Sequence, residues 1–254
     1  MMKTYRDGHI SLIFTLFALL LLIGSCKSNN QNAQEKNFEI PDSVKEIEEE
    51  IEVSDEAMES IVQNIASPVE IAAQIKSLGI PFSKEYLAST DIVNQLESDN
   101  RKALNLGVYG TNLGYINMYQ QQSLVIEYIK AIKTLADGIN VGQFFEFSTL
   151  KRLSKNSQNL DSLMYISVQN FNNMDNYLRE NDRGDISSIM IAGAWIEGLY
   201  IATQVAKLDE SGKLKQSIGE QKTILNELML ILKNYKNNEY IAEVINEISP
   251  IKKA

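Results

Sequence analysis

Few residues in this chain could carry out nucleophilic or metal chemistry. It has one cysteine, Cys26, and one histidine, His9. Cys26 comes shortly after an uncharged run of 14 residues, Ile10 to Ile23. That length suits the apolar core of a secretion signal and is too short for a membrane span, which needs about 20 apolar residues. If cleavage occurs just before Cys26, the mature chain has no histidine, which excludes Ser-His and Cys-His nucleophiles, Glu-x-x-His di-iron sites and most zinc sites.

The residues around Cys26 predict what happens to its thiol. Lys3 and Arg6 precede the apolar run, which closes on Ile23-Gly24-Ser25-Cys26. This pattern resembles the lipobox of bacterial prolipoproteins. The resemblance implies that residues 1–25 are a signal peptide, that Cys26 receives a diacylglyceryl group, and that the new N-terminus is usually acylated, for example by palmitate. The alternative is an ordinary signal peptide or an N-terminal membrane helix that happens to contain a cysteine.

The residues after Cys26 bear on where such an anchor would lie. Lys27 follows it, without the aspartate that in some bacteria retains lipoproteins at the inner membrane, and without an acidic cluster resembling a surface-export tag. We therefore expect an outer-membrane anchor facing the periplasm, with surface exposure as the alternative. Residues 27–41 are polar and rich in asparagine and glutamine, which is typical of a flexible tether.

Residues 42–59 contain nine carboxylates and one lysine, Lys45. We interpret this segment as an acidic spacer or a solvated first helix. A calcium or partner site is the alternative, although the carboxylates lack the spacing of a calcium loop. Residues 1–25 carry a net charge of +1, so their removal takes the chain from −9 to −10. Such an acidic chain argues against nucleic acid as a partner, and we predict neither a cofactor nor a metal.

The rest of the chain, residues 60–254, reads as one all-α domain of about eight helices. Apolar residues recur at helical spacing in several segments, and no segment alternates as a strand would. Ser67-Pro68-Val69-Glu70 predicts a helix start, and the glycines at the ends predict helix stops at Gly79, Gly138 and Gly184. Helices are expected near 121–137, 160–181 and 213–233, with a short last helix before Pro250. The apolar stripes that predict these four helices are, in order, Val125, Tyr128, Ile132 and Leu135; Leu160, Leu163, Phe171, Met174 and Leu178; Leu214, Ile218, Leu225, Leu228 and Leu232; and Ile241, Ile245 and Ile248.

Two stretches stand out because they have almost no charge. Residues 103–126 have none, and residues 186–206 have only Glu197. The second is long enough for a transmembrane span, but its polar residues favour a central buried helix. Small residues on one face of each helix predict that the two helices cross closely, or that a ligand lies against bare backbone; these residues are Gly107, Gly110, Gly114, Ala194, Gly198 and Ala202.

The same two stretches show weak internal sequence similarity, an echo of one in the other at an offset of 85 residues. Tyr115 aligns with Tyr200, and Asn112 with Glu197, three residues before each tyrosine. The echo indicates two pseudo-repeated helical units, and chance similarity between two helices rich in small residues is the alternative.

Glu197 is the residue in this region whose burial demands an explanation. An ionised carboxylate buried without a partner is too costly to keep, so it must be paired, hydrogen-bonded or protonated. Asn112, Tyr115, Arg101 and Lys102 are the candidate partners. Trp195, Tyr109 and Tyr200 could line a small-ligand pocket around it. The alternative is a structural polar network that determines how the helices pack.

Fragments of the domain, LGVYGTNLGYINMY and GAWIEGLYIATQ, resemble helical domains of uncharacterised bacterial periplasmic lipoproteins. That resemblance brings no activity and no binding residues with it. Three functions remain open from the sequence: a lipid-tethered module that binds a protein or envelope partner, a small-ligand-binding lipoprotein with a site near Glu197, and a carboxylate hydrolase acting through Glu127 and Glu197. The missing catalytic groups favour the first and argue against an enzyme.

Overall fold

The computed structural model describes residues 68–144 and 160–253. Within these ranges the chain forms seven α-helices, four short 3₁₀ helices and no strand. All of the described residues belong to one compact unit of the chain. The prediction of an all-α domain is confirmed. The predicted signal peptide, Cys26, the tether at 27–41 and the acidic segment at 42–59 lie outside the described residues.

The helices follow one another with short connections between most of them. They are α1 (Pro68–Ser77), α2 (Asp99–Met118), α3 (Gln122–Gly138), α4 (Leu160–Glu180), α5 (Gly184–Val205), α6 (Lys213–Lys233) and α7 (Glu239–Ile248). Two 3₁₀ helices, Lys84–Tyr86 and Thr90–Gln95, lie between α1 and α2, and the others are Gly142–Phe144 and Ser249–Lys253.

Three helices begin at side chains that cap their free N–H groups. Ser98 accepts a hydrogen bond from the N–H of Arg101 at the start of α2, and Asn238 accepts from two N–H groups at the start of α7. The carboxylate of Asp209 caps the start of α6, because it accepts a hydrogen bond from the N–H of Leu214 at 2.7 Å. These contacts pair donors that a helix cannot satisfy internally.

The helix ends predicted at Gly79 and Gly138 are correct in position, and the glycine adopts the left-handed conformation at the first of them. Gly79 follows α1 with a φ of 71°, the left-handed conformation that glycine adopts without strain. The stop predicted at Gly184 is wrong, and at Gly138 only the expected glycine conformation is missing. After α3 and α4, Asn140 and Asp182 take the left-handed conformation instead, since short polar side chains tolerate it. Gly138 is the last residue of α3, and Gly184 begins α5.

The outer helices bury the apolar faces that their spacing predicts. In α3 the whole predicted stripe is buried: Val125, Tyr128, Ile132 and Leu135. In α6 the buried residues of the predicted stripe are Leu214, Leu225, Leu228 and Leu232, with Ile218 half-buried. The described parts of the α4 and α7 stripes follow the same pattern, with Met174, Leu178, Ile241 and Ile248 in the core.

The central helices α2 and α5 lie side by side and run in the same direction. Arg183 just before α5 donates to Asp99 at the start of α2, and the Thr111 hydroxyl donates to the carbonyl of Ala194 further along. These contacts join residues 84 and 83 positions apart. A nearly constant separation along both helices means parallel packing. The sequence similarity at an offset of 85 residues therefore matches the separation of residues that are in contact between the two helices. Two repeated units related by a two-fold axis would give this match. The duplication itself stays a prediction.

Glycines let the two central helices approach at backbone distance. A Cβ on Gly107 would lie 2.6 Å from the backbone nitrogen of Ala194, and one on Gly193 would lie 2.9 Å from the carbonyl carbon of Leu104. The predicted close crossing is thus confirmed at Gly107 and Ala194. Gly193 was not among the predicted residues, and Gly110 does not belong with them, because it is exposed and a Cβ there would meet nothing within 4 Å.

Neighbouring helices cover α5 on most sides. Among the described helices it is the one long and apolar enough to cross a membrane by length and composition, and 78% of its apolar window is buried inside the domain. It packs against α2 above all, and also against α1, α4 and α6. The prediction of a central buried helix at 186–206 is therefore confirmed.

Candidate functional site

Glu197 lies in the interior where α5 faces α2. Only 7% of the residue is exposed, and its Oε1 accepts a hydrogen bond of 2.6 Å from Nδ2 of Asn112. Asn112 was one of four candidate partners named from the sequence, and the structure shows that it is the one bonded to Glu197. The other candidate partners are not bonded to Glu197: the hydroxyl of Tyr115 accepts from Ser83, Lys102 donates to the carbonyl of Gly138, and Arg101 is exposed.

Asn112 is fully buried and uses every polar atom of its side chain. Its Nδ2 donates to the carbonyl of Val108 at 2.8 Å as well as to Glu197, and its Oδ1 accepts from the N–H of Ala88 at 3.0 Å. The amide cannot be reversed, because its oxygen must face the Ala88 donor. Asn112 therefore connects three parts of the molecule: its own helix, α5 and the segment that precedes α2.

That preceding segment, residues 80–89, is bound along one face of α2, and we call it the bridging segment. The face carries Tyr109, Asn112, Tyr115 and Tyr119, spaced by three or four residues as one side of a helix requires; we call these four residues the α2 ladder. Each of them makes a hydrogen bond to the main chain of the bridging segment, at Ser89, Ala88, Ser83 and Ile80 respectively.

Aromatic contacts support the α2 ladder at both ends. Near the C-terminal end of α2, Phe82 of the bridging segment stacks on Tyr115 with ring centroids 5.3 Å apart and also contacts Tyr119. Near the middle, Tyr109 meets Tyr128 of α3 edge to face at 5.8 Å. The hydroxyl of Tyr128 donates to the carbonyl of Ala88. The bridging segment is thus held by α2 and α3 together.

Burial determines the proton affinity of the site. It raises the pKa of Glu197 from 4.5 to about 7, and the hydrogen bond from Asn112 offsets part of that rise. Burial also raises the pKa of Tyr109 to about 12, with further contributions from the charges of Asp91 and Glu197. Burial also makes the largest contribution to the raised pKa of Tyr128. The charges of Glu127, Tyr109 and Glu197 raise it further, in that order. The tyrosines remain hydrogen-bond donors at any physiological pH, whereas Glu197 titrates near neutrality.

Two of the aromatic residues expected around Glu197 do not line a pocket with it. Trp195 is buried, but its ring nitrogen donates to Gln221 of α6 at 3.1 Å. A separation of two residues rotates a helical side chain by about 200°, so Trp195 and Glu197 point to different neighbours. Tyr200 is 43% exposed, and within the described residues it makes no hydrogen bond to Glu197 or Asn112.

The structure adds residues to the site that sequence reasoning missed. Tyr119 completes the α2 ladder, and Tyr128 was noted only as part of the apolar stripe of α3. The spacing of Tyr119 from Tyr115 was the available signal for the first. For Tyr128 there was none, because a tyrosine in an apolar stripe usually belongs to the core.

A second buried polar cluster joins α4 to α5. Asp175 is 2% exposed and accepts from Nε of Arg179 at 2.8 Å and from the hydroxyl of Ser187. Such a pair needs hydrogen bonds to offset its desolvation, and Ser187 supplies one. The Nη2 atom of Arg179 is buried and makes no hydrogen bond to any residue that the structure describes. Glu127, the second carboxylate of the hydrolase hypothesis, is exposed and accepts from the hydroxyl of Thr90.

The role of these residues is indicated neither by a metal-binding cluster among the described residues nor by a similar protein. Within residues 68–144 and 160–253, no group of three or more histidine, cysteine, aspartate or glutamate side chains could hold a metal ion. No family model, curated protein or solved structure matches the chain. The interpretation of the site therefore rests on its own contacts.

Proposed function

We propose that the protein is a lipid-anchored binding module of the bacterial cell envelope. Acylated Cys26 holds it at the membrane, and the helical domain contacts a protein or another envelope component. The observation that carries the proposal is the sequence Ile23-Gly24-Ser25-Cys26 directly after a 14-residue uncharged run. The outer membrane, facing the periplasm, is the expected location, with the cell surface as the alternative.

The contacts of the polar residues support binding over catalysis. The α2 ladder is bonded to the main chain of the bridging segment, and Glu197 is bonded to Asn112. These bonds hold the fold together, and none of them pairs a nucleophile with a base as covalent catalysis requires. No histidine follows Cys26 in the sequence.

The anchor is tested by replacing the thiol that carries it. Cells expressing the full chain or its Cys26→Ala variant are grown with an alkyne fatty acid, and the membrane fraction is probed for label. We expect label and membrane retention for the natural sequence and for the matched control Ser28→Ala, and neither for Cys26→Ala. Mass spectrometry of the N-terminal peptide should show cleavage before Cys26. An unlabelled natural chain, or one retained at the membrane without label, contradicts the proposal.

The binding role is tested at apolar residues that the domain leaves on its surface. Leu208 is 53% exposed and Tyr200 is 43% exposed. A photo-crosslinking amino acid placed at either position, in the lipidated protein in its own envelope, should give a discrete adduct that disappears in Cys26→Ala. Lys215, an exposed residue of α6, is the matched control position. Absence of an adduct from Tyr200, Leu208, Ile92, Leu230 and Ile251 alike argues against a protein partner.

A small-ligand site at Glu197 is the second candidate. It is favoured by the state of the carboxyl group: Asn112 binds Oε1, and no described residue donates to Oε2. A ligand with an ammonium group could pair with that oxygen. Calorimetric titration with choline is the test, and saturable binding lost in Glu197→Gln supports this candidate. Among the residues that the structure describes, the contacts of Glu127 and Glu197 give no support to a hydrolase acting through these two carboxylates.

A further inference from the structure

Exposed lysines gather at one end of the domain. Because α2 and α5 run parallel, both finish at this end, and α6 begins there after a short turn. α1 and the start of the bridging segment belong to the same end, since Ile75 and Ile80 share a buried cluster with Val205. We call this part of the surface the basic end, and its exposed lysines are Lys76, Lys84, Lys207, Lys213 and Lys215.

The positive charge of the basic end is available to a partner. None of its lysines forms a salt bridge with a described residue, whereas Lys102 and Arg183, near the starts of α2 and α5, are both paired with Asp99. Residues 76–87 and 207–216 contain these five lysines and three carboxylates, a net charge of +2 in a chain of −9. One of the three, Asp209, is buried and bonded to the start of α6. An anionic surface therefore attracts this end and repels the acidic remainder of the chain, which orients the domain.

Two large apolar side chains are exposed near these lysines. Tyr200, in the last turns of α5, is 43% exposed, and Leu208, in the turn that follows α5, is 53% exposed. Lys207 is the neighbour of Leu208 in the chain, and the short helix that contains Lys84 contacts α5. Lysine stems cover apolar surface while their ammonium groups stay in a polar environment, and tyrosine suits the boundary between hydrocarbon and water. This combination of side chains favours contact with a bilayer surface.

We propose that the basic end docks on an anionic lipid surface, with Leu208 and Tyr200 at the headgroup boundary and the lysines on lipid phosphates. This inference rests on the proposed lipid anchor at Cys26. Residues 27–67 join Cys26 to α1, so the chain that carries the anchor enters the domain at the basic end. An anchored domain docks intramolecularly, and a weak attraction is then enough to keep it on the bilayer.

A fluorescent label in place of Leu208 tests the docking. The Leu208→Cys variant of the full chain is matured in cells, where acylation blocks the thiol of Cys26, and a dye is attached to the new thiol. The protein is placed in vesicles with brominated acyl chains, made either of phosphatidylcholine or of equal amounts of phosphatidylcholine and phosphatidylglycerol. We expect the bromines to quench the dye in the mixed vesicles and much less in phosphatidylcholine alone.

The matched control is a dye at the opposite end of the domain, in Leu230→Cys. Leu230 is 38% exposed, and it lies near the end of α6, which reaches the start of α5, because Tyr235 contacts Gly184. Its dye should stay unquenched in both kinds of vesicle.

Neutralising two lysines measures the contribution of charge. Each lysine close to an anionic surface strengthens binding about fivefold, so Lys207→Gln and Lys215→Gln together should lower the ratio of docked to free domains about 25-fold. Lys130→Gln removes an exposed lysine of α3 and should leave the quenching unchanged. Salt at about 1 M, where the Debye length is about 3 Å, should weaken the quenching of the dye at Leu208→Cys.

The outcomes separate the docking from the anchor. A lipidated chain whose dye at Leu208→Cys is quenched no more than the dye at Leu230→Cys overturns the docking and does not affect the anchor. Equal quenching in both kinds of vesicle overturns the preference for anionic lipid. A protein adduct from Leu208 in the envelope, without quenching in vesicles, assigns this face to a protein partner and also overturns the docking. A chain whose Cys26 takes up the dye has no lipid, which overturns the anchor and the docking together.

Discussion

The outer helix α6 and the central pair α2–α5 are stabilised in different ways. In α6, leucines at helical spacing face the core and the charged residues other than the half-buried Glu227 face outward, and the helix begins and ends at the residues predicted, 213 and 233. α5 is apolar around its whole circumference and is positioned by glycine contacts and by hydrogen bonds to α2. When a helix has one apolar face, its sequence determines which face turns to the core. When a helix is apolar on all sides, its neighbours determine its orientation.

The largest effect should come from emptying the core face of α6. Leu232 is fully buried, and Leu232→Ala should lower the free energy of unfolding by about 3 kcal/mol through lost burial and the cavity left behind. Leu230 lies two residues away and is 38% exposed, so Leu230→Ala should cost under about 1 kcal/mol. Urea denaturation measures both. Equal losses would show that α6 is not one-sided in the way its stripe indicates.

The contact between the central helices should be nearly as sensitive, but here the destabilising change is a larger side chain and not a smaller one. Gly107→Ala places a methyl group against the backbone of Met190 and Ala194 and should cost about 2 kcal/mol, since backbone cannot move aside easily. Gly110→Ala on the open side of the same helix should instead gain about 0.5–1 kcal/mol from helix propensity. A stabilising Gly107→Ala, measured by the same denaturation, would contradict close packing at this crossing.

The buried carboxylate of Glu197 makes the central pair sensitive to pH. Because the pKa of Glu197 is raised in the folded state from 4.5 to about 7, the folded protein binds this proton more tightly than the unfolded chain. The associated stability is complete below pH 4.5 and is lost as pH rises towards 7. The free energy of unfolding of the natural chain should fall by about 2 kcal/mol relative to Glu197→Gln between pH 5.5 and 8.5.

Denaturation curves of the two proteins at each pH isolate this contribution, because all other titrating groups are shared. A constant difference between them would mean that Glu197 keeps one protonation state in the folded and unfolded chains throughout that range.

The smallest effect concerns the start of α2. Ser98 accepts from the N–H of Arg101 at 3.3 Å, so Ser98→Ala should cost about 1 kcal/mol by leaving that donor without its cap. Ser123, an exposed serine in the first turn of α3, is the control and should change the midpoint of thermal unfolding little when replaced by alanine. A larger loss at Ser123 than at Ser98 would contradict the assigned cap.

Local patterns predicted the outer helices well and the ends of helices less well. The stripes of α3 and α6 are buried as expected, since a helix with one apolar face buries that face. The helix end at Gly138 was predicted correctly, although Asn140 and not the glycine adopts the left-handed conformation there. The stop at Gly184 was wrong, because Asp182 takes the left-handed conformation after α4 and a Cβ at Gly184 would clash with the side chain of Tyr235. That contact joins residues far apart in the chain, and no local rule contains it.

The sequence by itself determined the all-α class. It also limited the partner of Glu197 to four candidates that included Asn112, and the close helix contact to a set of small residues that included Gly107. Each follows from a requirement that allows few solutions: a buried carboxylate needs a polar partner, and a glycine inside a helix needs a close neighbour. Only the tertiary structure decided that α2 and α5 run parallel, that Trp195 turns to Gln221, and that the α2 ladder binds the bridging segment. Those outcomes depend on which distant donors and acceptors meet, and the spacing of residues along one helix leaves that choice open.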